Sequence, residues 1–297
     1  MRVFVTGATG FIGSATVPHL LAAGHELSAL ARSDRSAETL RAAGVEPVRG
    51  ELADLDVLTA ATRAADAVLH LGFVHDFDDF AGASRTERRA VETMLEALAA
   101  TGGAFALAAG VAGLAPGRPA TEHDRPPHEA PDSPRGGTEN LALAAADRGV
   151  RSVGIRFAPT VHGAGDHGFV AALVAIARER GVSGYLGDGS HRWAAVHVSD
   201  AGRLAAHALQ QAPAGTVWHA VAEEGIPTRQ IAEAIGGRLG VPVASVAPED
   251  AASHFGWLGR FFGEDLAASS MLTRERLGWE PTGPTLLEDI GADAYVR

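Results

Sequence analysis

An α/β chain built on a doubly wound parallel sheet, with a smaller C-terminal lobe, is the fold class that three observations predict. Short β-branched runs alternate with Ala- and Leu-rich amphipathic stretches through the first half of the 297 residues, the pattern of successive βαβ units. A glycine-rich turn, Gly7-Ala8-Thr9-Gly10-Phe11-Ile12-Gly13, separates the first apolar run from the first helical stretch. After residue 157 the alternation loosens, and Gly-rich turns at 163–168 and 187–189 interrupt short elements.

In chain order, the apolar runs predict strands at 2–6, 26–31, 46–49, 67–71, 104–108 and 152–157. The stretches between them predict helices near 11–23, 36–43, 55–63, 84–101 and 137–148, each long enough for a right-handed crossover. Residues 110–134 contain six prolines; a connection of that length is expected at the mouth of an active site. No repeat or low-complexity linker divides the chain, so the lobes are expected to pack tightly.

Composition narrows the function. The formal charge is -11 and no basic run or arginine stripe occurs, which argues against nucleic acid as a partner and for a small-molecule substrate. With no cysteine, disulfides and thiolate metal sites are excluded, and a reducing compartment fits. Met1-Arg2 leads straight into a strand-like run, and no apolar run reaches the roughly 18 residues of a membrane span. The expectation is a cytoplasmic protein with no membrane partner and no metal.

The glycine motif gains meaning from its place between a strand and a helix. Gly7 allows the tight turn, Gly10 lets backbone approach a pyrophosphate, and Gly13 lets helix pack on strand, with helix N–H groups facing the anion. These features predict a Rossmann domain holding a nicotinamide dinucleotide through Gly7, Thr9, Gly10, Phe11, Ile12 and Gly13. About twenty residues on, where an NAD-binding chain usually places an acid, stand Arg32, Ser33 and Arg35. A guanidinium there suits a 2′-phosphate, so the cofactor is expected to be NADP(H).

Five motifs, the glycine turn, Gly50-Glu51-Leu52-Ala53-Asp54, Asp66-Ala67-Val68-Leu69-His70-Leu71-Gly72, Pro159-Thr160-Val161-His162-Gly163 and Leu277-Gly278-Trp279-Glu280-Pro281, carry a resemblance over essentially the whole chain. In this order and spacing they resemble the extended short-chain dehydrogenase/reductases, and more narrowly the atypical members of the NAD-dependent epimerase/dehydratase family. The resemblance implies that Glu51 and Leu52 lie by the adenine, with Glu51 in place of the usual Asp. It places Gly72 and Phe73 by the nicotinamide ribose, and Pro159 and Val161 in the loop that reaches the nicotinamide. It also implies a dinucleotide domain over 1–160 with 194–222, and a substrate lobe over 161–193 with 223–297. A homodimer through the helices near 84–101 and 137–148 is implied as well, with a monomer still open.

In that family a tyrosine exchanges the proton, helped by a lysine four residues later and an upstream serine. This chain contains no lysine. With Glu139 matched to the glutamate usual in the following helix, the lysine place falls on Arg135 and the tyrosine place on Pro131. The serine place carries Ala109, and the family's asparagine appears as Glu87. Tyr185 and Tyr295, the only tyrosines, lie far along the chain from these positions, and His197 and Asp200 resemble a structural family segment. Replacements must come from the carboxyl ends of the strands, where open α/β sheets bind ligands. His75, just past the fourth strand with Asp76 beside it, and His162, past the sixth, are the candidate proton donors because imidazole titrates near neutrality; Glu87 is the third candidate catalytic residue.

Three readings stand on these residues. The first is an NADP(H)-dependent oxidoreductase acting on a small carbonyl or imine-type metabolite with a non-standard proton donor. The others are a catalytically inactive NADP(H)-sensing binding protein, and a non-redox isomerase, cyclase or dehydratase in the same pocket.

Overall fold

In the run Arg2–Thr6 every residue after Arg2 is buried. Such a run suits a parallel strand covered by helices on both faces, and it forms β1. The same composition sets β2 (Glu26–Ala31), β3 (Glu46–Arg49), β4 (Ala67–His70), β5 (Ala104–Gly110) and β6 (Arg151–Phe157). Then come β7 (Thr160–His162), β8 (Ser183–Leu186), β9 (Arg192–His197), β10 (Thr216–Ala220), β11 (Glu223–Pro227) and β12 (Val243–Val246). These elements are those of a computed structural model, which describes residues 1–74, 79–126, 130 and 133–295.

Seven strands form one sheet in the order β10-β6-β5-β4-β1-β2-β3. Parallel pairing joins β3, β2, β1, β4 and β5, with Thr6 opposite His70, His70 opposite Leu107, and Ala31 opposite Arg49. The chain runs outward from β1 to β3, then returns to β4 on the other side of β1. The carboxyl ends of β1 and β4 therefore flank the point where strand order reverses, which is where doubly wound folds hold ligands. The sheet is the expected doubly wound one, extended at one edge by β10.

Helices α1 (Phe11–Ala22), α2 (Asp34–Ala42), α3 (Leu55–Arg63) and α4 (Phe80–Ala99) connect the first five strands. The fourth starts four residues earlier than the expected 84, because the Asp79 carboxylate accepts the Gly82 N–H at 2.9 Å and caps it. The helix expected over 137–148 is shorter: α5 covers Thr138–Ala144 between 3₁₀ turns at Pro134–Gly137 and Ala145–Arg148. Gly137, at φ 62°, breaks the helical path before it. Two further helices, α6 (Phe169–Arg180) and α7 (Val198–Gln211), complete the longer segments through residue 211.

The chain divides into two compact units. The first comprises Met1–Ala109, Arg125–Arg156 and Gly202–Trp218. Its core is built on Phe4, Leu58, Met94, Leu95, Leu98 and Phe105, all fully buried, each contributing about 2 kcal/mol of apolar transfer. The Arg156 guanidinium on β6 donates to Glu139 of α5 at 2.6 Å; burial pushes that carboxyl up and Arg156 opposes it. The second unit comprises Gly110–Asp124, Phe157–Ala201 and His219–Arg297. Its strands pair as β11-β9-β7 and β12-β8, over a core that includes Trp193, Ile231, Leu258 and Phe262. No helix among the described residues is long and apolar enough to cross a membrane.

Candidate dinucleotide site and its neighbourhood

The glycine turn is dictated by space. Gly7 sits at φ 75°, and a Cβ there would lie 2.7 Å from the Gly72 nitrogen. A Cβ on Gly13 would lie 2.1 Å from the Gly7 carbonyl oxygen and 2.8 Å from Ala8 Cα; only glycine fits against another backbone so closely. The Gly10 N–H donates to Gly7 O at 3.0 Å and Ser14 N–H to Gly10 O at 2.8 Å, closing the turn into α1. No side chain caps α1. Thr9 and Gly10 are exposed, and Phe11 and Ile12 half-buried. The turn thus offers an uncapped helix end beside bare backbone, the local design that suits a phosphate.

At the carboxyl ends of β2 and β3, Arg32, Ser33 and Arg35 are exposed. Ser33 caps α2, accepting the Ser36 N–H at 3.1 Å while its own N–H donates to Ser36 Oγ at 3.0 Å. Arg32 and Arg35 have no carboxylate partner among the described residues. Arg49, opposite Ala31, brings in a further guanidinium, which meets Asp34 at 3.3 Å. Sequence reasoning did not single out Arg49; the signal was an arginine ending the strand next to β2. Beyond it, the Asp54 carboxylate accepts the Glu51 N–H at 2.8 Å, Glu51 is exposed, and Leu52 is buried in the core.

Where β1 and β4 end, Thr6 Oγ1 accepts the Gly72 N–H at 3.1 Å and lies 2.6 Å from His70 Nδ1. The hydroxyl can donate one proton and accept two, so either imidazole tautomer makes this bond, and Nε2 is the ring nitrogen left over. That Nε2 is buried without a partner among the described residues. Burial first, and the Arg135 charge second, lower the His70 pKa to about 3. The histidine is therefore neutral at physiological pH. It was quoted in the sequence motif but not marked as a site residue.

The neighbouring cluster joins residues distant in sequence. The Arg135 guanidinium donates from Nε to Glu87 at 2.9 Å, and from Nη2 to Glu87 at 2.5 Å and the Ala108 carbonyl at 2.9 Å. Its carbon lies 4.3 Å from the centre of the Phe73 ring. No described residue accepts from Nη1. Glu87 is 1 % exposed and Arg135 37 %. Burial pushes the Glu87 carboxyl up, and Arg135 pulls it back. Arg135 has φ 57°, alone among the described residues other than glycine in adopting positive φ, a strain of about 1 kcal/mol. Ala109, next to the carbonyl that Arg135 grips, brings no hydroxyl.

Of the expected catalytic residues, Glu87 is thus ion-paired, and His75, like Asp76 and Pro131, lies outside the described residues. His162 belongs to the second unit, as do Pro159 and Val161. His162 is fully buried, with Nδ1 2.6 Å from Asp289 on the helix Leu286–Gly291. Burial lowers its pKa and the Asp289 carboxylate raises it, with the first effect larger. His197 approaches the same carboxylate at 3.8 Å. Asp289, 127 residues from His162, carried no local sequence signal. Asp200 accepts the N–H groups of Thr282 and Gly283 at 3.0 and 2.7 Å, a structural clasp. A depression of about 420 Å³ lined by Leu27, Arg41 and Glu46 lies at the starts of β2 and β3, opposite the glycine turn.

A family model described as NAD dependent epimerase/dehydratase family matches residues 3–220. An uncharacterized protein of Schizosaccharomyces pombe is 47 % identical over 99 % of this chain and 100 % of its own length. A 3-diazoavenalumate denitrifying reductase of a Streptomyces species is 29 % identical over 99 % of this chain and 100 % of its own. Among solved structures, the dTDP-glucose 4,6-dehydratase DesIV of Streptomyces venezuelae, with NAD and TYD bound, superposes with a TM-score of 0.78. That match covers 98 % of this chain and 95 % of the other at 22 % identity, a likeness of fold.

Proposed function

Because the chain belongs to the NAD dependent epimerase/dehydratase family, we propose that it is an NADP(H)-dependent oxidoreductase acting on a small carbonyl or imine-type metabolite through a non-standard proton donor. The observation that carries the reading is the backbone cradle at Gly7 and Gly13, which a single Cβ would fill, with Arg32 and Arg49 at the ends of the adjoining strands. A pyrophosphate would rest on the turn from Gly7 to Gly13, with Thr9 and the α1 terminus donating. Arg32 and Arg49, with Ser33 and Arg35 nearby, would grip the 2′-phosphate; Glu51 and Leu52 would flank the adenine. Gly72 and Phe73 would face the nicotinamide ribose, and Pro159 and Val161 are assigned to nicotinamide binding on their place in the sequence motif alone. Once bound, the dinucleotide supplies hydride chemistry. The relative named as a reductase supports the same direction.

The protein's own groups then divide the remaining work. His70, neutral and tied to Thr6, fixes the path from β4 into Gly72. Glu87 holds Arg135 in place and is a positioning residue. His75 is assigned the proton on its sequence position, three residues past Gly72, where an imidazole exchanges protons near neutrality. His162, held by Asp289, keeps its ring orientation in the second unit.

NADPH oxidation over a panel of aldehydes, ketones and imines tests the reading. Turnover with at least one member, diminished in His75→Asn, is the expected result. Tight NADPH binding without turnover would favour a cofactor-sensing protein instead. Product formation that leaves the NADPH absorbance unchanged would favour non-redox chemistry.

A further inference from the structure

Arg135 combines several features that packing alone does not require. It occupies a left-handed backbone conformation that a β-carbon resists. Three of its N–H groups are spent on a buried carboxylate and a strand-end carbonyl. Its flat face rests on Phe73. These contacts leave the guanidinium little freedom to turn, while the Nη1 pair has no acceptor among the described residues and the side chain is 37 % exposed. The cluster stands at the carboxyl ends of β4 and β5, where Ala109 carries no hydroxyl and the Thr138 hydroxyl donates to the Arg135 carbonyl at 2.9 Å. Glu87 balances the arginine charge, so the free pair suits a neutral oxygen with growing negative charge better than a fully charged anion.

Resting on the oxidoreductase reading, we propose that Arg135 Nη1 donates to the carbonyl oxygen of the substrate and stabilises it as hydride arrives, making Arg135 a catalytic residue of electrostatic type. As the carbonyl carbon gains hydride from the reduced dinucleotide, the π pair of the C=O bond moves onto oxygen. The alkoxide so formed lies against the guanidinium until a proton from water yields the alcohol. The dinucleotide is left oxidised. A fixed donor aimed at developing charge needs no reorganisation during the step, and arginine keeps its own proton throughout. The chain thereby dispenses with a phenol at this position.

The test uses isobutyramide, a carbonyl compound that hydride does not reduce under these conditions, with the full-length protein. Its binding is followed by saturation-transfer NMR, with and without NADPH, in wild type, Arg135→Gly, and Arg135→Gly combined with Glu87→Gln. Glycine accepts the left-handed backbone, and the Gln change removes the buried carboxylate that the single variant would leave unpaired. Wild-type affinity is expected to exceed that of both variants by about tenfold, the scale of one charge-assisted hydrogen bond, and added guanidinium is expected to recover part of the loss. Equal affinity in all three proteins, undetectable wild-type binding, or a loss that guanidinium does not rescue would overturn the proposal. The carbonyl panel separates the two readings. Arg135-dependent isobutyramide binding with no NADPH oxidation by any member of the carbonyl panel removes the oxidoreductase reading and leaves Arg135 a carbonyl-binding residue only, whereas panel oxidation that survives Arg135→Gly unchanged removes only the role of Arg135.

Discussion

The turn after β1 and the cluster at the ends of β4 and β5 both rely on left-handed backbone, yet they obey opposite rules. At Gly7, positive φ is met by the residue that tolerates it, and neighbouring backbone lies too close for any side chain. At Arg135 the same region is occupied by a long cation held by a carboxylate 48 residues away. In the first place geometry is served by the absence of a side chain. In the second, the side chain is retained although its backbone is strained. The contrast teaches that the cofactor cradle is a local property of a few consecutive residues, whereas the reactive corner is a property of pairs brought together by the sheet.

The contrast breaks most severely at Gly13. Gly13→Ala drives a methyl into the Gly7 carbonyl, where nothing but backbone can move. A loss of about 3 kcal/mol in urea unfolding is expected, together with loss of detectable NADPH binding by calorimetry. Stability retained within about 0.5 kcal/mol would show that the turn has slack.

At the other corner, Arg135→Met leaves Glu87 buried without its partner. Breaking a buried pair costs about 3–5 kcal/mol; with Arg135 partly exposed, about 2 kcal/mol is expected at neutral pH. The pH dependence has a definite sign. Glu87 has a raised pKa, so the unfolded chain loses this proton first. Its contribution to stability is present below the ordinary carboxylate pKa of about 4.5 and is lost as pH rises through the folded value. Removing Arg135 raises that value further, so the gap between variant and wild type should widen with rising pH. A gap independent of pH would show that Glu87 is not the group left exposed to the penalty.

His70 sharpens the comparison from within the cluster. With its pKa lowered to about 3, it stays neutral in the fold, while the unfolded imidazole takes a proton below about 6.5. Stability is therefore lost as pH falls from about 6.5 toward 3. His70→Gln should remove about 3 kcal/mol of that acid loss at pH near 4.5, read from urea unfolding there and near pH 7.5. Equal acid sensitivity of variant and wild type would place the proton uptake elsewhere.

Much of the fold was legible in the sequence because it follows from local rules. The six early strands and the glycine turn stand where periodicity and spacing put them, with ends shifted by a residue or two. The larger departures have local causes: the Asp79 cap lengthens α4, and left-handed Gly137 shortens α5. The candidate site was legible in part. Arg32 and Glu87 were marked by position, and Arg135 by family register, but no pattern along the chain foretold that Glu87 and Arg135 would pair. Arg49 acquires meaning only from its register with Ala31, and Asp289 only from tertiary contact with His162. Long-range ion pairs leave no periodic trace, so the sheet must be in hand before they appear.

The smallest expected effects concern the 2′-phosphate. Arg32→Ala should weaken NADPH binding about tenfold, and Arg49→Ala less, because Arg49 is shared with Asp34. Neither change should alter NADH binding.

Calorimetric titration of the wild-type protein with NADPH and with NADH tests the central claim most directly. The expected result is saturable binding of NADPH at least about tenfold tighter than NADH. Absence of heat with either dinucleotide, or a preference for NADH, would contradict the account.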